Sequence, residues 1–219
     1  MDIVDLGIID YKKALDVQID LLKKRIDVKV PDTLIILEHE PVVTLGRIAG
    51  EEALLDPSYF EENKIPVLKT GRGGKNTYHA PGQLVLYPIV DLGAKRDISF
   101  YIDFLERTVS RSLAKLGISS EANLARRGVW ASGKKIAFIG IAVKKWVAYH
   151  GVSININNGI EPFLHMHPCG ESDIRVTSAK EVMGRELDMS EVKKVFAEQF
   201  AEDFSIAFST KQMVFSGAN

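Results

Sequence analysis

The chain contains a single cysteine, Cys169, in the run His167-Pro168-Cys169-Gly170. One cysteine cannot form an internal disulfide and one thiolate is a poor start for a zinc site. Three roles remain: an inert buried thiol, a modification site or a nucleophile. Composition alone favours the first, because free cysteine often packs as a small hydrophobe. Pro168 fixes the backbone before the thiol and Gly170 relaxes it afterwards, which predicts that Cys169 lies on a defined turn.

A second residue that could take part in a reaction is Lys135. It follows the predicted turn Ser132-Gly133 and directly precedes an apolar run over residues 136–143. A lysine at such a margin can be partly desolvated, which disfavours its charged form and suits proton transfer. The alternative is an ordinary hairpin lysine held in water. Of the adjacent pair, Lys134 is expected to be the solvated one.

A dense polar segment over residues 72–83 follows a predicted strand and reads Arg-Gly-Gly-Lys-Asn-Thr-Tyr-His-Ala-Pro-Gly-Gln. Glycines after a strand let backbone N–H groups approach a ligand closely. The segment is not a Walker A loop, because the first required glycine would fall on Lys69 and Asn76 replaces the required Ser or Thr. It indicates a ligand-binding loop, with a solvated turn as the alternative.

A metal site is the rival interpretation of the cysteine region, because His165, His167 and Cys169 occupy alternate positions. Alternation would place the three side chains on one side of an extended segment. Pro168 interrupts that segment, however, and no second cysteine offers the usual zinc pairing. The sequence therefore favours no metal.

Length and charge set the class of protein. The chain has 219 residues with 46% hydrophobic content, which predicts one sizeable core, either in a single domain over residues 1–219 or in two tightly joined lobes. A net charge of −1 argues against nucleic acid or a membrane surface as a partner. The acidic N-terminus lacks a signal-peptide layout, and the uncharged residues 136–143 are too few to span a bilayer. With one cysteine, these features predict a cytoplasmic protein.

Hydrophobic spacing predicts helices and strands that are interspersed without regular βαβ alternation. Helices are expected over residues 11–26, 51–63 with an interruption at Pro57, 100–116 and 191–204. Strands are expected over residues 6–9, 33–37, 42–45, 65–68, 83–90, 128–131, 135–144, 149–156 and 212–215. The pattern predicts an α+β fold with a mixed β-sheet and packed helices.

Taken together, these segments resemble one family, the lipoyl(octanoyl) transferases, which share a superfamily with lipoate and biotin protein ligases. The resemblance covers nearly the whole chain. It rests on Glu38-His39-Glu40-Pro41 with Thr44-Leu45-Gly46-Arg47, Arg72-Gly73-Gly74, Thr77-Tyr78-His79 with Pro81-Gly82-Gln83, Gly128-Val129-Trp130, Lys135-Ile136-Ala137 with Ile139-Gly140, His150-Gly151 with Asn155, and Pro168-Cys169-Gly170. One departure is Ala80, where the family usually has glycine.

The resemblance implies a catalytic domain with the biotin/lipoate protein ligase fold. It implies transfer of an octanoyl (or lipoyl) group from octanoyl-acyl carrier protein to a lysine, as the first step of endogenous protein lipoylation. The implied acceptors are lipoyl domains of 2-oxoacid dehydrogenase complexes or the glycine cleavage H protein. The donor is already a thioester, so no ATP and no cofactor are expected.

The resemblance also implies a Cys–Lys dyad, in which Cys169 carries the acyl group as a thioester and Lys135 moves protons. His79 and His150 are expected to orient groups rather than act as primary bases. Backbone N–H groups near Gly170 or in the Gly73-Gly74 loop are candidates for stabilising the oxyanion. The implied substrate-binding residues are Arg72, Gly73, Gly74, Lys75, Asn76, Thr77, Tyr78, His79, Phe138, Ile139, Gly140, Gly151, Val152 and Ser153.

Three other functions stay open at this point. The first is an ATP-dependent lipoate or biotin ligase on the same fold, against which Cys169 and the residues 79–83 argue. The second is an amidotransferase that moves acyl groups between carrier proteins. The third is a non-catalytic module that binds acyl or lipoyl proteins. For docking acidic protein partners, the candidates are Arg47, Arg72, Lys75, Arg126, Arg127, Lys144 and Lys145. The alternative for each of them is an ordinary solvated cation of the surface.

Overall fold

Helices and strands are interspersed along the part of the chain that the computed structural model describes, which is residues 1–50, 54–93, 95–123, 126–170 and 173–208. The strands are β1 (Asp2–Ile9), β2 (Thr33–His39), β3 (Val42–Leu45), β4 (Val67–Lys69), β5 (Asn76–His79), β6 (Gln83–Asp91), β7 (Glu121–Ala122), β8 (Val129–Ala131), β9 (Lys134–Lys144) and β10 (Val147–Asn155). The helices are α1 (Tyr11–Ile26), α2 (Pro57–Glu62), α3 (Ile98–Lys115), α4 (Ala179–Met183) and α5 (Met189–Phe208). Short 3₁₀ segments cover Glu161–His165 and Pro168–Gly170.

Two sheets organise these strands. Within the described residues, the main sheet has seven strands in the order β1-β2-β6-β10-β9-β8-β7, and the small sheet has three in the order β4-β3-β5. The pairs β1–β2 and β3–β4 are parallel, and the other pairs are antiparallel. The predicted α+β class with a mixed sheet is confirmed.

The main sheet buries both of its faces, because successive side chains of a strand point to opposite sides. On β2, Leu34 and Ile36 pack in the cluster formed with α3 and α5, whereas Ile35 and Leu37 pack in the cluster formed with α1. A third apolar cluster lies beneath the small sheet and includes Phe163. Helices therefore cover the central strands on both sides.

Local signals explain where the helices begin. The Asp10 carboxylate accepts the backbone N–H of Lys13 at 3.0 Å, and α1 then covers the predicted residues 11–26. Asp97 caps α3 in the same way through the N–H of Phe100 at 3.0 Å.

Among the described helices, none is long and apolar enough to cross a membrane.

Three of the predicted secondary-structure assignments are corrected by the structure or concern residues that it does not describe. Residues 76–79 are not loop: they form β5, which pairs antiparallel with β3. The helix expected over 51–63 begins only at Pro57, because proline suits a first helical position, and residues 51–53 lie outside the described part. The strand expected over 212–215 also lies outside it.

Candidate active site

A cavity of about 400 Å³ lies between the central strands of the main sheet and the segment that carries β5. Its floor comes from neighbouring strands β6, β9 and β10, which fixes their side chains relative to one another. The volume is in the range of small-molecule sites. The lining residues are Ile48, Arg72, Gly74, Lys75, Asn76, Thr77, His79, Val85, Tyr87, Arg126, Arg127, Lys135, Phe138, Ile139, Gly140, Gly151, Val152 and Ser153.

Of the substrate-binding residues expected from sequence, all but Gly73 and Tyr78 line this cavity. Tyr78 instead packs edge-on against Phe163, with ring centroids 5.9 Å apart, in the cluster beneath the small sheet. Ala80 belongs to that same cluster and is not among the lining residues. The family departure at Ala80 therefore alters packing under the small sheet rather than the cavity surface.

The guanidinium of Arg72 anchors the glycine-rich loop to β3. Arg72 is 7% exposed, and its Nε and Nη2 donate to Thr44 Oγ1 at 3.1 and 2.8 Å. Nη2 also donates to the Thr44 carbonyl at 2.7 Å, and Nη1 donates to the Gly73 carbonyl at 3.1 Å. These charge-assisted bonds hold the loop against the small sheet. Arg72 therefore has a structural role in addition to any contact with a ligand.

Gly140 lets this loop approach β9 closely. A β-carbon at Gly140 would lie 3.1 Å from the Gly73 carbonyl oxygen and 3.2 Å from Arg72 Cδ. The Gly73 N–H donates to the carbonyl of Ile141 at 2.8 Å. A glycine in a strand lets another group approach its backbone closely, and at Gly140 that group is the Arg72-Gly73 loop. Gly140 also lines the cavity.

Lys135 is the most buried cation of the cavity wall, with 2% exposure. Its Nζ lies 5.6 Å from the ring centroid of Trp130 and 5.3 Å from that of Phe138. Its backbone N–H donates to the carbonyl of Arg175 at 2.8 Å, and its carbonyl accepts the N–H of Thr177 at 3.0 Å. Lys135 therefore follows the hairpin turn as expected, but it is buried in the cavity wall rather than held in water.

The turn that carries Cys169 is held beside the cavity by Lys75. Residues Pro168–Gly170 form a 3₁₀ segment with Gly170 at φ +72°, and the side chain of Cys169 lies outside the described part. The Lys75 side chain packs against Gly170, where a β-carbon would lie 2.6 Å from Nζ. Since Lys75 also lines the cavity, the turn and the cavity are neighbours, and contact between Cys169 and Lys135 stays a prediction.

Two of the backbone donors proposed for an oxyanion are already used within the protein. The Gly170 N–H donates to the carbonyl of His167 at 2.7 Å, and the Gly73 N–H donates to Ile141 as described above. A hydrogen already donated at such a distance is poorly placed for a second strong acceptor. The expectation that these two groups stabilise an oxyanion is therefore not supported.

A chain of buried polar side chains ties the floor of the cavity to the segment beside Lys135. His79 Nδ1–H donates to Gln83 Oε1 at 2.7 Å, and Gln83 Nε2 donates to Asn155 Oδ1 at 2.9 Å. Asn155 Nδ2 then donates to the carbonyl of Thr177 at 3.0 Å. Because the N–H of Thr177 bonds to Lys135, this network fixes the strand position of the lysine.

Three buried histidines, of which His79 lines the cavity, are held neutral. Burial lowers the pKa of His39 and of His150 to about 4, the latter also lowered by the nearby Arg72 charge. Burial, followed by the charge of His39, holds the pKa of His79 well below its usual value. A neutral His79 with Nδ1 bonded to Gln83 fits an orienting residue better than a general base.

These histidines should destabilise the protein in mild acid. Between pH 6.5 and about 4, the unfolded chain binds protons at positions 39 and 150 that the folded protein excludes. The stability that each neutral imidazole contributes is therefore complete above about pH 6.5 and is lost as the pH falls toward 4, at about 3 kcal/mol per histidine. Urea unfolding at a series of pH values measures this directly.

A His150→Asn variant provides the matched comparison for this prediction. Residue 150 has φ +56°, which asparagine tolerates, and its backbone N–H bond to Gln18 Oε1 at 2.8 Å is kept. The variant should lose one histidine's share of the pH dependence. An unfolding free energy that stays constant across this window in the wild-type protein would show that the histidines are not held neutral.

His165 contacts side chains at the start of α2 and within its own 3₁₀ segment. Its ring stacks on Tyr59 with centroids 3.6 Å apart, Nδ1 lies 3.3 Å from Asp56 Oδ2, and Nε2 lies 3.6 Å from Glu161 Oε1. Within the described ranges, no three His, Cys, Asp or Glu side chains are grouped to hold a metal ion.

Sequence reasoning did not assign Ile48, Val85 and Tyr87 to the cavity, although all three line it. Val85 and Tyr87 belong to an alternating strand, where either face is apolar and the pattern cannot say which one borders a ligand. The sequence near Tyr87 did not indicate that its side chain is held at the cavity. The group that bonds its hydroxyl, His39 Nε2 at 2.8 Å, is distant in the chain.

The sequence is similar to proteins of lipoylation along most of its length. The model of a family described as the lipoyl protein ligase A/B catalytic domain matches residues 10–201. The chain is 37% identical to an octanoyltransferase of Geobacter metallireducens over 91% of this chain and 92% of that protein. It is 40% identical to an octanoyltransferase of Geobacter sulfurreducens, with coverages of 92% and 83%. An octanoyltransferase of Maridesulfovibrio salexigens is 37% identical, with coverages of 94% and 97%.

Solved structures share the fold at low sequence identity. A lipoate-protein ligase A bound with ATP superposes with a TM-score of 0.72 at 17% identity, over 93% of this chain and 85% of that chain. The bi-partite lipoate protein ligase of Thermoplasma acidophilum, determined with its E2 lipoyl domain, gives 0.69 at 17% identity, over 93% and 83%. The biotin protein ligase of Aquifex aeolicus gives 0.58 at 15% identity, over 95% and 71%. The predicted ligase-like catalytic-domain fold is confirmed.

Proposed function

We propose that this chain, which belongs to the family of lipoyl protein ligase A/B catalytic domains, transfers an octanoyl group through an acyl-thioester on Cys169. It is an acyltransferase, and its activity is octanoyl transfer in protein lipoylation, as in relatives 37–40% identical over most of the chain. The donor is octanoyl-acyl carrier protein. The acceptor is a lysine of a lipoyl domain, as in 2-oxoacid dehydrogenase complexes or the glycine cleavage H protein.

The observation that carries the mechanism is the burial of Lys135 in the wall of the cavity beside the Cys169 turn. Lys135 is 2% exposed and borders the same space as Lys75, whose side chain packs on Gly170. An amine withdrawn from water beside a thiol is suited to exchange a proton with it. The apolar part of the wall, including Val85 and Phe138, is suited to an acyl tail.

In the first step, the Cys169 thiolate attacks the donor thioester carbonyl, and an S–C bond forms on Cys169. The bond to the donor sulfur breaks, and that sulfur leaves as a thiol after taking a proton from the Lys135 ammonium. A free thiol is only a few per cent ionised near neutral pH, so a nearby ammonium that favours the thiolate raises the reactive fraction.

In the second step, the acceptor lysine amine attacks the acyl group on Cys169. An amide bond forms, the S–C bond breaks, and Cys169 is released. Lys135, left neutral by the first step, takes the proton that the acceptor nitrogen loses. The energy for the amide comes from the thioester, which is why the scheme uses no ATP. Burying the tail would contribute about 0.8 kcal/mol for each methylene group.

The scheme extends to the whole chain and its setting. We take residues 1–219 as one catalytic domain, a proposal supported by the family match over residues 10–201. We place the reaction in the cytoplasm, where a lone thiol stays reduced. Of the cations that line the cavity, Arg126 and Arg127 are proposed to meet acidic protein partners, although both already pair with carboxylates: Arg126 with Asp173 at 2.6 Å and Arg127 with Asp103.

Donor choice tests this function. The purified protein should add one octanoyl group to an unmodified lipoyl domain when given octanoyl-acyl carrier protein without ATP, as measured by intact mass. A lipoyl domain whose acceptor lysine is replaced by arginine is the control and should stay unmodified. Modification that requires free octanoic acid and ATP would assign the chain to the ligases, and acyl transfer only to another carrier protein would make it an amidotransferase.

A further inference from the structure

Helix α3 carries a fully buried carboxylate, that of Glu106. One residue, Gly128, separates it from the end of the Lys135 side chain. Glu106 has 0% exposure. Its Oε1 accepts the backbone N–H of Gly128 at 2.7 Å, and its Oε2 accepts Arg127 Nη1 at 3.0 Å. A buried carboxylate is costly unless its oxygens are paired, and here both are. The first bond holds the backbone of Gly128, and the second holds the guanidinium of Arg127.

The backbone of Gly128 forms the wall against which the Lys135 side chain rests. Gly128 has φ +126°, a conformation that favours glycine. A β-carbon there would lie 2.5 Å from Lys135 Cε, 3.2 Å from Lys135 Nζ and 2.6 Å from the carbonyl oxygen of Ala137. No side chain separates Gly128 from the amine, so any movement of this backbone moves the surface that positions Lys135.

Two aromatic rings form another part of the surroundings of the amine. The rings of Trp130 and Phe138 stand within 6 Å of Lys135 Nζ, and β8 and β9 pair Trp130 directly with Lys135. The Trp130 indole N–H donates to the Arg126 carbonyl at 3.0 Å, which fixes that ring. The Gly128 backbone is the part of these surroundings that a side chain of α3, Glu106, holds in place.

We propose that Glu106 is a positioning residue for Lys135, holding the Gly128 backbone so that the lysine amine stands at the distance proton transfer requires. The inference rests on the proposed function, since it gives Lys135 the proton-transfer role. Glu106 itself does not touch the reacting atoms. A displacement of about 1 Å in such a group reduces catalysis on the order of 100-fold, so the hydrogen bond to Gly128 should have a large effect on rate.

Alkylation of the single cysteine gives a readout that does not require turnover. We would measure the rate of iodoacetamide alkylation against pH in wild type, Glu106→Met, Lys135→Met and the double variant. Methionine has a similar length to glutamate but cannot accept the Gly128 N–H. We expect Glu106→Met to move the midpoint of the profile upward by about one pH unit when Lys135 is present, and not to move it in the Lys135→Met background.

Two further variants separate positioning from folding. Glu106→Gln keeps an acceptor for the Gly128 N–H and should restore most of the kcat lost in Glu106→Met, while KM stays within about threefold. Asp203→Asn is the matched control, because Asp203 is also buried and pairs with α3, accepting the Thr108 hydroxyl at 2.9 Å and Arg111 Nη1 at 2.6 Å. It should lower thermal stability but leave the alkylation profile in place.

The outcomes distinguish this inference from the function on which it rests. Equal shifts from Glu106→Met with and without Lys135, or the same shift from Asp203→Asn, would overturn the positioning role alone. If Lys135→Met changes neither the alkylation profile nor octanoyl transfer, the proton-transfer role of Lys135 fails, and the inference fails with it. Full activity in Glu106→Met beside an inactive Lys135→Met would overturn the inference and leave the proposed function standing.

Discussion

Replacing Cys169 by alanine should lower kcat/KM for octanoyl transfer by at least about 1,000-fold. The proposed reaction forms and breaks a bond to this sulfur in each step, and the chain has no second cysteine to replace it. Steady-state transfer from octanoyl-acyl carrier protein to a lipoyl domain measures the loss. Because Cys169 lies in a three-residue 3₁₀ turn and not in a long helix or a strand, the variant should keep its fold, which circular dichroism and thermal unfolding check.

Cys169→Ser sharpens this first prediction. Serine keeps the size of the side chain, but its hydroxyl is a far weaker nucleophile without a strong base, so the variant should be nearly as inactive as Cys169→Ala. Both variants should still bind the donor, because the cavity wall is unchanged. A Cys169→Ala protein that transfers octanoyl groups within about tenfold of the wild-type rate would show that the acceptor amine attacks the donor directly.

Replacing Lys135 by methionine should lower kcat on the order of 100- to 10,000-fold with a much smaller change in KM. Methionine keeps an unbranched side chain near the rings of Trp130 and Phe138, which lie within 6 Å of Lys135 Nζ, but cannot hold a proton. Lys135→Arg should not rescue the activity, because a guanidinium does not release its proton and presents a planar fork where a single amine fits.

The neighbouring lysine is the control for this second prediction. Lys134→Met removes an equal charge from the same hairpin, at a residue that is only partly buried and is not among those lining the cavity. It should change kcat by less than about twofold. If Lys134→Met and Lys135→Met reduce the rate to the same extent, the effect is one of overall charge or partner docking, and the dyad is wrong.

The elements with local signals could be predicted closely from the sequence. Helix α1 has the expected bounds because Asp10 caps it and the apolar residues recur at helical spacing. The hairpin between β8 and β9 was indicated by Ser132-Gly133, which take φ values of +50° and +72° as a tight turn requires. Strand β5 was missed, because its residues Asn76–His79 are mostly polar and yet all are buried.

The sequence indicated which residues form the site more fully than it indicated how they are placed relative to one another. The family motifs indicated the residues that line the cavity, but the sequence placed Lys135 at a solvent margin, where tertiary contacts in fact bury it. Glu106 gave no signal, since a glutamate on an amphipathic helix usually faces water. Its partner Gly128 is 22 residues away, and only the fold brings the two together. Polar groups that act through distant partners cannot be read from local patterns.

The central claim is that the octanoyl group rests on Cys169 before it reaches the acceptor lysine. Intact-mass measurement after mixing the protein with octanoyl-acyl carrier protein, in the absence of a lipoyl domain, tests this most directly. We predict that wild type gains one octanoyl group, that hydroxylamine or an added lipoyl domain removes it, and that Cys169→Ala gains none. A wild-type protein that is active in transfer but never carries the group, or an adduct that persists in Cys169→Ala, would contradict the claim.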